Sequence, residues 1–283
     1  MTTRPSSWRR RFGSALVVFG ALALGLTAVS RATGAGGYAN YSPRTWERFD
    51  RELAERTPDL DSLFRAAQSR APGSFRHLPP DRKMRILHET VADRFTNGDR
   101  AKYSPLSNWF LWALGAIHPR GRDIQDPDAL LRNGHSVLCG DVSYVLIRLA
   151  GMAGIPARHV HLEGHILMEA WYEDSWHAFD PDLEVVVAEE SGTVVSVERL
   201  IREPSLLRAA YASRGSREYV ENVVALFTST GNNRYISYPR NGGLGVRGQR
   251  PGRLEQAGRM AVIVLPAGMI LAGVLLAVPN RRG

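Results

Sequence analysis

The chain has 283 residues, 44% hydrophobic and 8% aromatic, which is enough for a sizeable core and argues against overall disorder. Its formal charge of +8 would suggest a nucleic-acid partner, but seven of the 36 basic residues lie in 1–31 and 281–282, which leaves 29 against the 28 acidic residues between them. The near-neutral middle argues against nucleic acid.

In chain order, the first element is the run FGSALVVFGALALGLTAVS, Phe12 to Ser30, 19 residues without a charge after Arg9, Arg10 and Arg11. It is long enough to span a bilayer. A cleaved signal peptide has a similar basic start and small residues at its end, but this run exceeds the usual apolar core of ~7–15 residues and favours an anchor. A second run, MAVIVLPAGMILAGVLLAV, covers Met260 to Val278 and precedes Arg281 and Arg282. Pro266 does not disqualify it in a membrane. The membrane is therefore an expected partner. The arginine cluster before the first span puts both termini in the cytoplasm, residues 1–11 and 279–283, and the domain between them outside. Arg247, Arg250, Arg253 and Arg259 before the second span weigh the other way, but the first span usually dominates. Arginines number 34 against two lysines, Lys83 and Lys102, as in a GC-rich bacterial genome, so the expected location is a bacterial inner membrane.

Residues 36–100 form a helical N-terminal region in this reading. Ser42 is placed as an N-cap with Pro43 at the first helical position, ahead of TWERFDRELAER. A second helix follows LPP, with Met84, Leu87, His88, Val91 and Phe95 on one stripe, so that His88 reads as packed. A third apolar segment, SNWFLWALGAI, opens the region 101–230. Val142, Val145, Leu146, Leu149 and Ala153 then follow helical spacing until Gly154, Ile155 and Pro156 stop it. Strands follow at ARHVHL, HILMEAWY and SWHAFD, the last two joined at Glu173-Asp174. Helix first and antiparallel strands after is α+β order. Beyond Val185 a strand and helices around VERLIREPSLLRAAYA and REYVENVVALF are expected, and residues 231–259 read as a linker.

Cys139 is the chain's only cysteine, so it has no internal disulfide partner. It falls at or just before the first turn of its helix, where unpaired N–H groups and the macrodipole favour a thiolate. A nucleophilic thiol needs a base, and the base an orienting carboxylate. If Tyr172 pairs with Ser175, then Trp171 faces Trp176, and His165 shares a face with Asp180 diagonally and Asp182 directly opposite. Strand geometry does not choose between the two aspartates.

The ordered pieces CGDVSYVLIRLAGMAGIPARHV and GHILMEAWYEDSWHAFDPD resemble the core of the transglutaminase-like superfamily over roughly residues 100 to 185. The resemblance implies a papain-like α+β fold with helical extensions, and acyl transfer on an amide through a thioester, with water or an amine as acceptor. It makes Cys139 the nucleophile, His165 the base and Asp180 of the Asp-Pro pair the orienting acid. An upstream side chain commonly completes the oxyanion site in such enzymes, and Asn108 and Trp109 are the candidates. The expected partner is an amide-containing substrate, hydrolysed for preference, and no cofactor or metal is expected. The alternatives are a non-catalytic binding module of the same fold and a zinc site at His159, His161 and His165.

Overall fold

The structure, a computed structural model, describes residues 7–33, 36–229, 231, 233–237 and 253–278. In chain order its elements are α1 (Ser7–Thr33), α2 (Arg51–Arg56), α3 (Leu60–Ser69), α4 (Pro80–Arg94), β1 (Thr96–Asn97), α5 (Pro105–Leu114), α6 (Pro127–Asn133), β2 (Ser136–Val137), α7 (Cys139–Met152), β3 (Ala157–His161), β4 (Ile166–Tyr172), β5 (Ser175–Phe179), α8 (Val197–Arg202), α9 (Pro204–Tyr211), α10 (Arg217–Thr228), β6 (Arg234–Ser237) and α11 (Arg253–Ala277). They form two compact units. Residues up to Tyr38 join 102–124 and the C-terminal helix in one, while 39–101 and 125–237 make the other.

In the first unit α1 and α11 pack against each other, and α5 packs on both. Each long helix carries a stretch long and apolar enough to cross a membrane, Trp8–Ser30 at mean hydropathy 2.1 and Leu254–Ala277 at 2.5. The two backbones meet at glycines. A Cβ on Gly13 would lie 2.6 Å from the Gly273 carbonyl oxygen, and one on Gly20 would lie 2.6 Å from that of Pro266, which also shows that the helices run antiparallel. Small residues that let backbones approach are the usual basis of tight helix pairs in lipid.

The second unit is α+β around a four-stranded antiparallel sheet in the order β5-β4-β3-β6. The β4–β5 hairpin pairs Tyr172 with Ser175 and Trp171 with Trp176. Its two loop residues, Glu173 and Asp174, have φ of 49° and 55°, the left-handed pair of a type I′ hairpin turn. Alternation along β4 sends Leu167 into a core with Leu207, Val220 and Phe227 of the helices after the sheet. Ile166, on the opposite face, meets Gly140 of α7, where an added Cβ would lie 3.1 Å from its Cδ1. The stripe expected for α7 is buried from Val142 to Leu149, with Val145, Leu146 and Leu149 fully so, while Ala153 is the half-buried C-cap. Full burial of such side chains contributes roughly 1.5–3 kcal/mol each.

Sequence expectations fail locally in several places, and the strand expected beyond Val185 is reduced to isolated bridges, Asp180 with Val185 and Ala188 with Val194. No helix starts at Ser42; helix begins at Arg51, with the Asp50 carboxylate accepting from Leu53 N. The backbone before it is claimed by carboxylates instead. Glu47 accepts from Arg44 N at 2.7 Å and Asn97 N at 2.9 Å, and Glu184 accepts from Arg48 N at 2.8 Å. Most of the stretch expected as a linker, 231–259, lies outside the described residues, but within it Arg234–Ser237 pair with β3 as an edge strand, and α11 starts at Arg253.

Val145 sits in the interior of α7, fully buried. Proline there removes a helix hydrogen bond and collides with the preceding turn, at ~3 kcal/mol or more. Val145→Pro should abolish the cooperative thermal transition of the purified chain followed by circular dichroism; an unchanged melting curve would displace the helix from this position.

Candidate active site

Cys139 is the first residue of α7, after an N-cap, Leu138, that has no side-chain acceptor to offer. Its backbone N–H is among the first-turn donors that a helix leaves without an internal acceptor. The short parallel ladder of β1 and β2 aims this helix start. Thr96 N donates to His135 O at 2.8 Å, Gly98 N donates to Val137 O at 3.0 Å, and the Thr96 and Ser136 hydroxyls bond at 2.6 Å. Gly98 is required at this crossing, since a Cβ would fall 2.7 Å from that of Ser136.

His165 stands one residue before β4, after Gly164 at φ 94°. The hairpin register brings Asp180, one residue beyond β5, alongside it, and His165 Nε2 donates to Asp180 Oδ2 at 2.8 Å. That bond assigns the proton to Nε2 and leaves Nδ1 for the thiol, because a carboxylate only accepts. The Cys139 sulfur, a ring nitrogen of His165 and a carboxylate oxygen of Asp182 lie within 4.8 Å of one another. His165 is buried. Burial by itself would lower its pKa, but the charge and hydrogen bond of Asp180, reinforced by Cys139, hold it well above the usual value.

Asp180 is also enclosed. Tyr211 of α9 donates its hydroxyl to Oδ2 at 2.8 Å, and Leu183 N donates to Oδ1 at 3.2 Å. Burial opposes its charge, yet His165, the Tyr211 hydroxyl and the Leu183 amide outweigh that and keep the carboxyl below its ordinary pKa. His88 of α4 donates from Nε2 to the Asp180 carbonyl at 3.1 Å. The stripe of apolar spacing correctly reads His88 as packed, but nothing in the local pattern around Tyr211 marks it as a partner of the site. Its position on the buried side of α9 looks like any core aromatic.

Asp182 does not extend the strand as the sequence register expects. Asp180 and Val185 exchange both backbone hydrogen bonds, at 3.0 and 2.9 Å, and close a tight turn through residues 181–184 with Glu184 at φ 52°. The turn carries Asp182 back to the thiol, where Asn97 Nδ2 donates to its Oδ1 at 3.0 Å. Burial, partly countered by His165 and increased by Asp180, raises the Asp182 pKa to about 6.

The thiol and imidazole open on a cavity of about 470 Å³ also lined by Arg100, Tyr144, His159 and His161. His159 is buried and its pKa is lowered to about 3, by burial and by His161. Among the described residues, the one group whose ligand atoms are close enough to share an ion is Cys139, His165 and Asp182, so the alternative of a zinc site at His159, His161 and His165 does not assemble. Asn108 and Trp109 lie on α5 in the unit of terminal helices. Asn108, where that helix kinks, accepts from Leu111 N at 3.0 Å, and Trp109 Nε1 is buried without a hydrogen bond among the described residues. No family model, curated protein or solved structure matches the chain, so the chemistry of this site rests on its geometry.

Burial lowers the His88 pKa from 6.5 to about 4, against the pull of the Asp180 carbonyl. With the folded value below the unfolded one, the neutral ring stabilises the fold above pH 6.5, and that contribution, roughly 3 kcal/mol, is lost as pH falls towards 4. His88→Gln keeps an N–H donor without titrating. Chemical unfolding across this pH range should show a correspondingly smaller acid loss for the variant, and identical profiles would remove His88 from the acid response.

Proposed function

We propose that the chain is a membrane-anchored cysteine amidase, peptidase or acyltransferase of the transglutaminase-like superfamily, with Cys139 as nucleophile, His165 as base and Asp180 as the orienting acid. One observation carries this reading: a thiol at a helix start lies beside an imidazole whose far nitrogen is held by a buried carboxylate. The order of these residues along the chain, with Asp180 in an Asp-Pro pair, supports the same superfamily.

In this mechanism His165 takes the proton of Cys139 as the sulfur attacks the carbonyl carbon of an amide. The developing oxyanion is met by the Cys139 backbone N–H at the start of α7. Collapse breaks the C–N bond, and His165 returns the proton to the leaving amine. The thioester that remains is cleaved by water, activated by the same imidazole, to give the acid and the free thiol; an amine in place of water gives a transamidated product. Asp180 keeps the ring's Nε2 protonated and its Nδ1 turned to the sulfur throughout.

Two helices long and apolar enough to span a bilayer support membrane anchoring. With Arg9, Arg10 and Arg11 retained inside, the catalytic unit faces the outside of a bacterial inner membrane, where the substrate is an amide of a peptide or envelope polymer. Protease added to intact spheroplasts should digest the catalytic unit, and full protection would reverse the orientation.

The triad is tested by the rate at which iodoacetamide labels Cys139 in the detergent-solubilised full chain, together with turnover of amide substrates. Cys139→Ala should abolish both, and His165→Ala should lower turnover by about 10²–10⁴ and slow labelling. Asp180→Asn should hurt less than either, and combined with His165→Ala it should add little. A larger effect from Asp182→Asn than from Asp180→Asn would reassign the carboxylate. Labelling indifferent to His165→Ala, with biological activity kept in Cys139→Ala, would leave a binding module of the same fold.

A further inference from the structure

The triad chemistry has no use for Asp182, yet the fold turns the chain back at Asp180–Val185 to bury this carboxylate against the thiol and the imidazole. Its Oδ1 is held by Asn97, and the neighbouring ring is held by Asp180 through Nε2. The geometry points to a zinc-binding site made of Cys139 Sγ, His165 Nδ1 and Asp182, through which a divalent ion shuts off the nucleophile. As regulation of the proposed reaction this rests on the triad reading; as a metal site it stands on the ligand geometry.

Thiolate, imidazole and carboxylate are zinc's ordinary protein ligands, at roughly 2.0–2.3 Å from the ion. Around a tetrahedral centre their donor atoms stand about 3.3–3.8 Å apart, so a group already within 4.8 Å needs side-chain movement of the order of 1 Å to close on an ion. The outer contacts are those of built metal sites. The coordinating histidine gives its other N–H to a carboxylate, Asp180, which Tyr211 orients in turn, and the coordinating carboxylate accepts from Asn97. Cys139 and His165 border the 470 Å³ cavity, which gives the ion a path in and leaves the fourth position to water. A thiolate and a carboxylate balance the two charges of the ion. Binding forms the Zn–S and Zn–N bonds, and the proton shared by thiol and imidazole leaves to solvent. With its sulfur and Nδ1 both coordinated, the triad has neither nucleophile nor base. Zinc suits the mixed S, N and O set better than calcium or magnesium, which take oxygen ligands.

The test uses the full-length chain in detergent, stripped with a chelator and titrated with zinc, and follows the rate at which iodoacetamide labels Cys139, each variant being referred to its own metal-free rate. Wild type should be protected at one zinc per chain, and cobalt in place of zinc should give a thiolate-to-metal charge-transfer band that is absent in Cys139→Ala. Asp182→Asn should raise the zinc concentration for half-protection at least 10-fold. Should that variant fail to fold, Asn97→Ala, which frees the carboxylate, is judged by the same direction of shift. Equal protection in wild type and variant, or labelling that ignores zinc, overturns the site. The metal-free rate of His165→Ala reports separately on the triad, so loss of the metal site and loss of the triad give different results.

Discussion

The buried contact between His165 and Asp180 sets the conditions that the rest of the α+β unit has to meet. Removing a charged pair from water costs several kcal/mol per ion, and the attraction between the two offsets this only when the remaining lone pairs are filled. Here they are filled from separate parts of the chain: the Tyr211 hydroxyl from α9, the Leu183 amide from the turn and, at the Asp180 carbonyl, His88 from α4. Two helices distant in sequence, α4 at the backbone carbonyl and α9 at the carboxylate, therefore have to reach one aspartate. The four-residue turn that supplies Leu183 also delivers Asp182, so satisfying the first aspartate brings the second to the thiol.

Two carboxylates in one buried site do not share one behaviour. The Asp180 carboxylate has two donors and an imidazole and stays ionised below its ordinary range. Asp182 is buried with one amide donor and the charge of Asp180 nearby, and burial foremost raises its pKa to about 6. Environments that push like groups apart are a general way to give them different roles. One aspartate holds the ring, while the other accepts from Asn97 beside the thiol.

The thiol is placed by different means. Cys139 depends on a two-residue parallel ladder and on Gly98, whose missing side chain lets β1 approach Ser136. Behind it, α7 is anchored by fully buried Val145, Leu146 and Leu149, and no N-cap side chain accepts from its first N–H groups. In the unit of terminal helices, glycines again decide the approach of backbones, at Gly13, Gly20 and Gly273.

Much of this was legible along the chain. The α7 stripe, the three consecutive strands, the Tyr172–Ser175 register and the two apolar runs all follow from periodicities and turn residues that act within a few positions of each other. Local order also suffices to mark Cys139 at a helix start and to place His165 and two aspartates near one hairpin end. Contacts distant in sequence decided the rest. The helix at Ser42 is lost because Glu47 and Glu184, the latter more than a hundred residues away, take the backbone donors before Arg51. The β6 strand exists because β3 offers an unpaired edge, which no pattern in Arg234–Ser237 announces. Between Asp180 and Asp182 the strand period is silent, since both fall on the same face. The choice of which carboxylate meets Nε2 came from a tight turn, Tyr211 and Asn97, whose partners are 31 and 85 residues away along the chain. Sequence by itself determined the elements and the chemical types at the site, because propensity and periodicity are local; tertiary structure decided which atoms meet, because hydrogen-bond satisfaction in a buried site is settled by the whole fold.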